Sequence, residues 1–254
     1  MTMKGKFQFT GEGGTLFSLY LGQGLLTLIT FGIYAPWATV NFIRYYAENT
    51  SLGGKKFSFA GQGGELFSLM IVQFLLTCIT LGLYAPIAWL KIQGYILSKL
   101  SYDGTAFAFN TDDGCDFWCL VFVQSLLTII TFGIYAPWAE LKISRNVLNR
   151  TSIDGRQFDL TAEGGKYFSL LLGQLLLTMI TLGIYTPWAI AAIYNYLISE
   201  ITWGEEKFNM KMEGSKLFCI FFAGVILTML TLGIYFPWFE VKLLKYYADT
   251  TEVQ

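Results

Sequence analysis

The stretch ITFGIYAPW at 29–37 returns as ITLGLYAPI (79–87), ITFGIYAPW (130–138), ITLGIYTPW (180–188) and LTLGIYFPW (230–238). The five prolines of the chain, Pro36, Pro86, Pro137, Pro187 and Pro237, all stand in this motif, 50, 51, 50 and 50 residues apart. A fixed period near fifty residues means one array of repeated units and overrides a count of domains from length. The units run 4–53, 54–103, 104–154, 155–204 and 205–254 within a single domain of 1–254. The break itself is physically consistent. Glycine ends a helix in a left-handed conformation, and proline fits the first turn of the next, where its missing N–H costs nothing.

Around the break the pattern of one unit is legible. In KKFSFAG (55–61) Phe57 and Phe59 alternate on one face, so the segment reads as a strand. ELFSLMIVQFLLTCIT follows as a first helix, PIAWLKIQGYILSKL after the break as a second, and LSYDG as another strand. Gly53-Gly54, Asp103-Gly104, Asp154-Gly155 and Gly204-Glu205 are two-residue hairpin turns joining consecutive units. The fifth hairpin is split between the ends of the chain. RYYAENTSLG (44–53) aligns with KYYADTTEVQ (245–254), and KGKFQFTG at the start matches a strand after a turn. The two terminal strands are therefore expected to pair, which also removes free sheet edges.

Segments without Asp, Glu, Lys or Arg run 16–38, 66–90, 117–139, 167–189 and 217–239, each at least 23 residues long. About 20 apolar residues cross a bilayer as a helix. Only 14% of the chain is charged and 54% is hydrophobic, against about 25% charged in soluble domains. The reading is a mainly α membrane protein. Its five repeats close into a pseudo-five-fold ring of about ten helices, with the β-hairpins on one side. Tyr and Trp of each GIY-x-PW suit the water–lipid boundary. Lys and Arg gather near the hairpins, which puts hairpins and termini in the cytoplasm by the positive-inside rule. The start, MTMKGKFQFTGEGG, lacks an apolar core with a cleavage site, so no signal peptide is expected.

Two rows of side chains are candidates for function. The first helices carry a polar stripe: Ser18, Gln23, Thr27, Thr30 in the first unit, and Gln73, Gln124 and Gln174 at the corresponding glutamine position in the next three. The fifth unit has Gly224 there. Such a stripe either packs between helices or faces a lumen. On the second helices, the fifth and eighth residues after proline are Asn41/Arg44, Lys91/Gly94, Lys142/Arg145, Ala192/Asn195 and Lys242/Lys245. These positions share a helix face, and six of the ten are basic. The eighth lies roughly 12 Å from the turn, where a cation serves a lumen or lipid headgroups, or reaches a neighbouring carboxylate. Glu12, Gln62, Asp113, Glu163 and Glu213 precede the first helices, where negative charge complements the helix dipole. Net charge is −1, so no nucleic-acid partner is implied.

Histidine is absent, and Cys78, Cys115, Cys119 and Cys219 form no C-x-x-C pair. No metal, cofactor or enzyme activity is expected. The repeated LLT-x-IT-x-GIY-x-PW, followed by a basic aromatic helix and a G-x-x-F-x-F hairpin, resembles the YjgN family of bacterial inner-membrane proteins, a family with a domain of unknown function. Ile87 departs from it where Trp is expected, and Gly224 where the other units have Gln. The resemblance implies a multi-pass inner-membrane protein and supplies no activity. The composition and the basic row suggest a pore or transporter for small anions or lipid-like solutes. The alternative is a structural ring that organises lipid or a partner.

Overall fold

A computed structural model describes residues 3–112 and 114–254. Five times over, the chain runs strand, helix, helix, strand. The elements are β1 (Gly5–Phe9), α1 (Gly13–Ile29), α2 (Ala35–Glu48), β2 (Thr50–Leu52), β3 (Lys55–Phe59), α3 (Gly63–Ile79), α4 (Ala85–Ser98), β4 (Leu100–Tyr102), β5 (Thr105–Phe109) and α5 (Gly114–Ile130). They continue as α6 (Ala136–Asn149), β6 (Thr151–Ile153), β7 (Arg156–Leu160), α7 (Gly164–Ile180), α8 (Thr186–Ser199), β8 (Ile201–Trp203), β9 (Glu206–Met210), α9 (Gly214–Leu230), α10 (Phe236–Asp249) and β10 (Thr251–Val253).

The contacts divide the chain into two compact units, one of residues 1–22, 49–55 and 160–254, the other of 23–48 and 56–159. In the first, β1 pairs antiparallel with β2 (Phe7 opposite Leu52) and with β10 (Gly5 opposite Val253), and β9 pairs with β10 and with β8. The terminal strands thus pair. In the second, β3, β4, β5, β6 and β7 pair in order, with Phe57 opposite Tyr102 and Phe107 opposite Ile153. The hydrogen-bonded order of all ten strands is that of a closed barrel. Both turn residues have positive φ at Gly53-Gly54, Asp103-Gly104 and Asp154-Gly155, as a two-residue hairpin requires. Strand alternation buries one face. Phe57 stacks near Phe107 and Phe107 near Phe158, with ring centroids 6.4 and 6.2 Å apart, and in the other unit Phe7 lies 6.4 Å from Phe208.

The expected mainly α membrane fold is therefore corrected to a closed antiparallel barrel of ten strands carrying ten helices, among the described residues. No helix among them is long and apolar enough to cross a membrane. The cause lies in the charge-free windows. Each runs through the break, and absence of charge does not make a segment one helix. The first helix of each unit has 17 residues, about 25 Å, short of the roughly 30 Å of hydrocarbon.

The break is a Schellman turn. In the first unit Gly32 N–H donates to Thr27 O (2.8 Å) and Phe31 N–H to Leu28 O (3.1 Å). The same pair of bonds closes the other four. The left-handed position held by glycine in most such turns is held here by Phe31, Leu81, Phe132, Leu182 and Leu232, at φ between 50 and 52°, with the glycine one residue later. The threonine before them caps both sides. Thr30 Oγ1 donates to Leu26 O (2.8 Å) and accepts from Tyr34 N (3.0 Å), and Thr80, Thr131, Thr181 and Thr231 repeat this. The prolines occupy the first turn of the second helices.

Candidate functional site

The polar stripe of the first helices is satisfied within the protein at most positions. Ser18, Ser68 and Ser169 hydroxyls donate to carbonyls four residues back, at 3.0–3.1 Å. Thr27, Thr77, Thr128, Thr178 and Thr228 do the same at 2.7–2.8 Å. Gln23 Oε1 accepts from Asn41 Nδ2 (2.9 Å), and Gln124 Oε1 accepts from the Tyr135 hydroxyl (3.1 Å). The carbonyl oxygens of Gln73 and Gln174 are buried without a protein partner. Where Gly224 replaces the glutamine, the ring of Phe239 fills the space.

The basic row divides by position. At the eighth residue after proline, two side chains hold the corner before the next unit's first helix. Arg44 Nη2 donates to Gly61 O (2.9 Å). Asn195 Nδ2 donates to Met212 O (2.9 Å), and its Oδ1 accepts from Met212 N (2.7 Å). Gly94 is the third version, because a Cβ there would lie 2.5 Å from Thr111 Cγ2. Arg145 and Lys245 are exposed. At the fifth residue, Lys91, Lys142 and Lys242 are exposed and lean back along the helix. Their ammonium groups donate to the hydroxyls of Tyr84, Tyr135 and Tyr235 at 3.0, 2.8 and 2.9 Å. The same ammoniums lie 5.5–5.7 Å from the tyrosine ring centroids. These tyrosines belong to the GIY-x-P motif, and the Y-x₆-K spacing that carries the pair was present in the sequence.

The two helices of a unit expose opposite chemistries. From Leu21, Ile71, Phe122, Leu172 and Phe222 to the turn, the first helices present exposed Leu, Ile, Val, Phe and Met side chains. The band ends on Phe31 (97% exposed), Leu81 (94%), Phe132 (97%), Leu182 (94%) and Leu232 (95%). In every unit it begins ten residues before the turn, a depth of about 15 Å. The second helices expose Lys91, Glu140, Lys142, Arg145, Lys242 and Lys245. Their large exposed apolar side chains, among the described residues, are Trp89, Tyr194 and Phe236.

Charge returns at the base of the first helices. Gln62, Glu163 and Glu213 stand at the N-cap without a side-chain capping bond; Asp113 lies outside the described residues. Glu163 and Glu213 pair with Lys166 (2.9 Å) and Lys216 (2.8 Å). The cap backbone is held instead by tyrosines that the sequence did not single out. The Tyr95 hydroxyl accepts from Gln62 N and shares its one proton between Gln62 O and Glu65 Oε2, and Tyr196 and Tyr246 clamp Glu163 and Glu213 through the backbone alike. Burial pushes the Tyr95 and Tyr246 hydroxyls upward. The four cysteines are free and exposed, and among the described residues no cluster could hold a metal ion.

A family described as "Bacterial protein of unknown function (DUF898)" matches residues 4–63, 54–115, 107–167 and 190–254. A stretch of 47 residues is 51% identical to the inner membrane protein YjgN of Salmonella typhimurium (strain LT2), covering 18% of this chain and 12% of that relative's length. No solved structure matches.

Proposed function

The chain belongs to the DUF898 family of bacterial proteins of unknown function, and from there we propose that it is a non-catalytic inner-membrane protein that organises anionic, lipid-like molecules. Each helical hairpin seats its tip in lipid. The observation that carries this reading is the exposed apolar band, repeated at the same depth in all five units. About 15 Å is half of a roughly 30 Å hydrocarbon core, so each tip reaches through about one leaflet and no helix has to cross. The turn residues support it further. A bulky L-residue in the left-handed region costs roughly 1–2 kcal/mol, and at 94–97% exposure the rest of the chain does not bury it. Lipid supplies that burial. The name of the relative, an inner membrane protein, agrees.

The second helices give the reading its chemistry. Lys91, Lys142 and Lys242 present ammonium groups held by tyrosine hydroxyls, beside an apolar helix in the same hairpin. Cation beside apolar surface suits an anionic amphiphile. The β-hairpins and termini, where Lys and Arg collect, face the cytoplasm in this reading.

Co-flotation with phosphatidylglycerol-containing vesicles tests it. The wild-type protein floats and resists extraction by carbonate. The triple variant Leu81→Asp, Phe132→Asp, Leu182→Asp leaves the lipid fraction, because each charge carried into hydrocarbon costs roughly 2.5–3.5 kcal/mol. A wild-type protein that stays at the bottom of the gradient, or a triple variant that floats equally well, overturns the proposal.

A further inference from the structure

One seam between successive units differs from three of its counterparts. At the α2/α3, α8/α9 and α10/α1 seams a tryptophan of the second helix fills the space against a glycine and a phenylalanine of the first. Trp37 lies 5.0 Å from Phe67, Trp188 5.1 Å from Phe218, and Trp238 5.3 Å from Phe17 (ring centroids). Each tryptophan lies so close to Gly63, Gly214 or Gly13 that a Cβ there would clash with its ring. At α4/α5 the tryptophan position is Ile87 and the phenylalanine position is Trp118. Trp118 makes contacts of its own. Its indole N–H donates to Leu83 O, and its ring stacks on Phe122 at 5.1 Å with 8° between planes. A Cβ built on Gly114 would sit 3.4 Å from Ile87, an ordinary contact.

Beside this seam lies an open groove of about 250 Å³ with an almost wholly apolar wall, lined by Leu83, Tyr84, Ile87, Cys115, Trp118 and Cys119 among others. An apolar cavity of about 150 Å³ is large enough for a benzene-sized guest. Tyr84, part of this wall, carries on its hydroxyl the ammonium of Lys91 at 3.0 Å. Apolar space and a fixed cation therefore meet at one residue.

We infer that the α4/α5 seam is a binding site for an anionic membrane lipid, one acyl chain entering the groove and the phosphate meeting Lys91. This rests on the membrane reading above and adds to it a particular site. The lipid fills the groove beside the isoleucine that stands where the α2/α3, α8/α9 and α10/α1 seams carry a tryptophan.

The test is native mass spectrometry of the protein in neutral detergent, titrated with dioleoyl phosphatidylglycerol or dioleoyl phosphatidylcholine. The wild type retains phosphatidylglycerol in preference. Ile87→Trp with Trp118→Phe rebuilds the arrangement of those three seams and binds at least tenfold more weakly, since about two methylenes lost from burial already amount to that. Lys91→Gln keeps the site but brings the preference for phosphatidylglycerol over phosphatidylcholine to about one. Should the double variant not fold, Ile87→Phe fills part of the same space. A second readout uses the thiols at the groove. In a Cys78→Ala, Cys219→Ala background, phosphatidylglycerol slows maleimide labelling of Cys115 and Cys119, and the groove-filling variant loses that protection. Equal lipid retention and equal labelling in wild type and double variant overturn the inference. Because the double variant keeps its tips, it floats with vesicles as the wild type does; failure of both to float overturns the membrane reading instead.

Discussion

The strand end and the turn end of each unit use the same kinds of residue in opposite ways. Leu52, Tyr102, Ile153, Trp203 and Val253 close the short strands and are at most 3% exposed. Phe31, Leu81, Phe132, Leu182 and Leu232 close the first helices and are almost wholly exposed, in a backbone conformation that bulky residues avoid. The strand end tolerates five different side chains because hydrogen-bonded strands and a buried face enclose whatever is there. The turn end keeps Phe or Leu although nothing in the chain encloses it. One end is complete in itself. The other is left apolar and exposed.

The largest effect expected from this contrast is in unfolding. Trp203→Ala removes a side chain that is fully buried and lowers stability by about 3–5 kcal/mol. Leu232→Ala, at the other end of the next unit, stays within about 0.5 kcal/mol when measured in the same detergent. Comparable losses from the two substitutions would mean that the turn is enclosed by the protein after all, and the contrast would fail.

A second comparison sharpens the first by moving to the seams. Gly63→Ala drives a methyl into the ring of Trp37, and overpacking of this kind costs about 1–3 kcal/mol. Gly114→Ala meets only Ile87 at 3.4 Å and is expected within about 0.5 kcal/mol. Both glycines open a first helix, so propensity is matched and the difference in melting isolates the missing tryptophan. Equal costs would place a hidden obstruction at Gly114 and remove the basis for a groove at α4/α5.

Much of this was legible from residue order. The period, the strand–helix–helix–strand unit, the glycine-containing hairpin turns and the proline at the start of the second helix all follow from local chemistry, which a repeat states five times. What was not legible depends on where a helix ends by one residue. GIY-x-P marks the break, but the left-handed residue is the Phe or Leu before the glycine, and its side chain gives no sign of positive φ. That residue ends the 17-residue first helix inside the charge-free window, whose remainder opens the next helix, which is why the spans read from composition do not exist as spans. The basic row was visible as a face, but a face does not reveal that Arg44 and Asn195 bond to backbone while Lys91, Lys142 and Lys242 bond to tyrosines. Ile87 stood out as a departure. Its partner Trp118 was equally visible, with Phe17, Phe67, Phe168 and Phe218 at the matching positions, yet only the packing relates the two changes.

The smallest effect concerns pH, and it divides the two ends again. The windows that hold the tips contain no Asp, Glu, Lys or Arg, whereas the helix bases hold exposed ion pairs. Glu65 accepts from Lys99 at 3.0 Å and from the Tyr95 hydroxyl at 3.0 Å. Those two hydrogen bonds, the one from Lys99 first, hold the Glu65 carboxyl below the ordinary carboxylate range, and the same carboxylate raises the Lys99 ammonium. A carboxyl lowered on folding stabilises fully above its unfolded pKa, and that stabilisation is lost as pH falls through the folded value. For Lys99 the sign reverses: its contribution is present below the unfolded ammonium pKa and is lost as pH rises through the raised one. The pair is exposed, so its effect is small and screened by salt. Melting of the wild type and Glu65→Gln should therefore differ slightly at pH 7 and converge as pH falls below the ordinary carboxylate range, with the difference shrinking in high salt. Flotation with vesicles, which the proposed reading assigns to the uncharged tips, should not follow that titration. A partition that tracks Glu65 protonation would bring the base into the membrane contact and erase the division between the two ends.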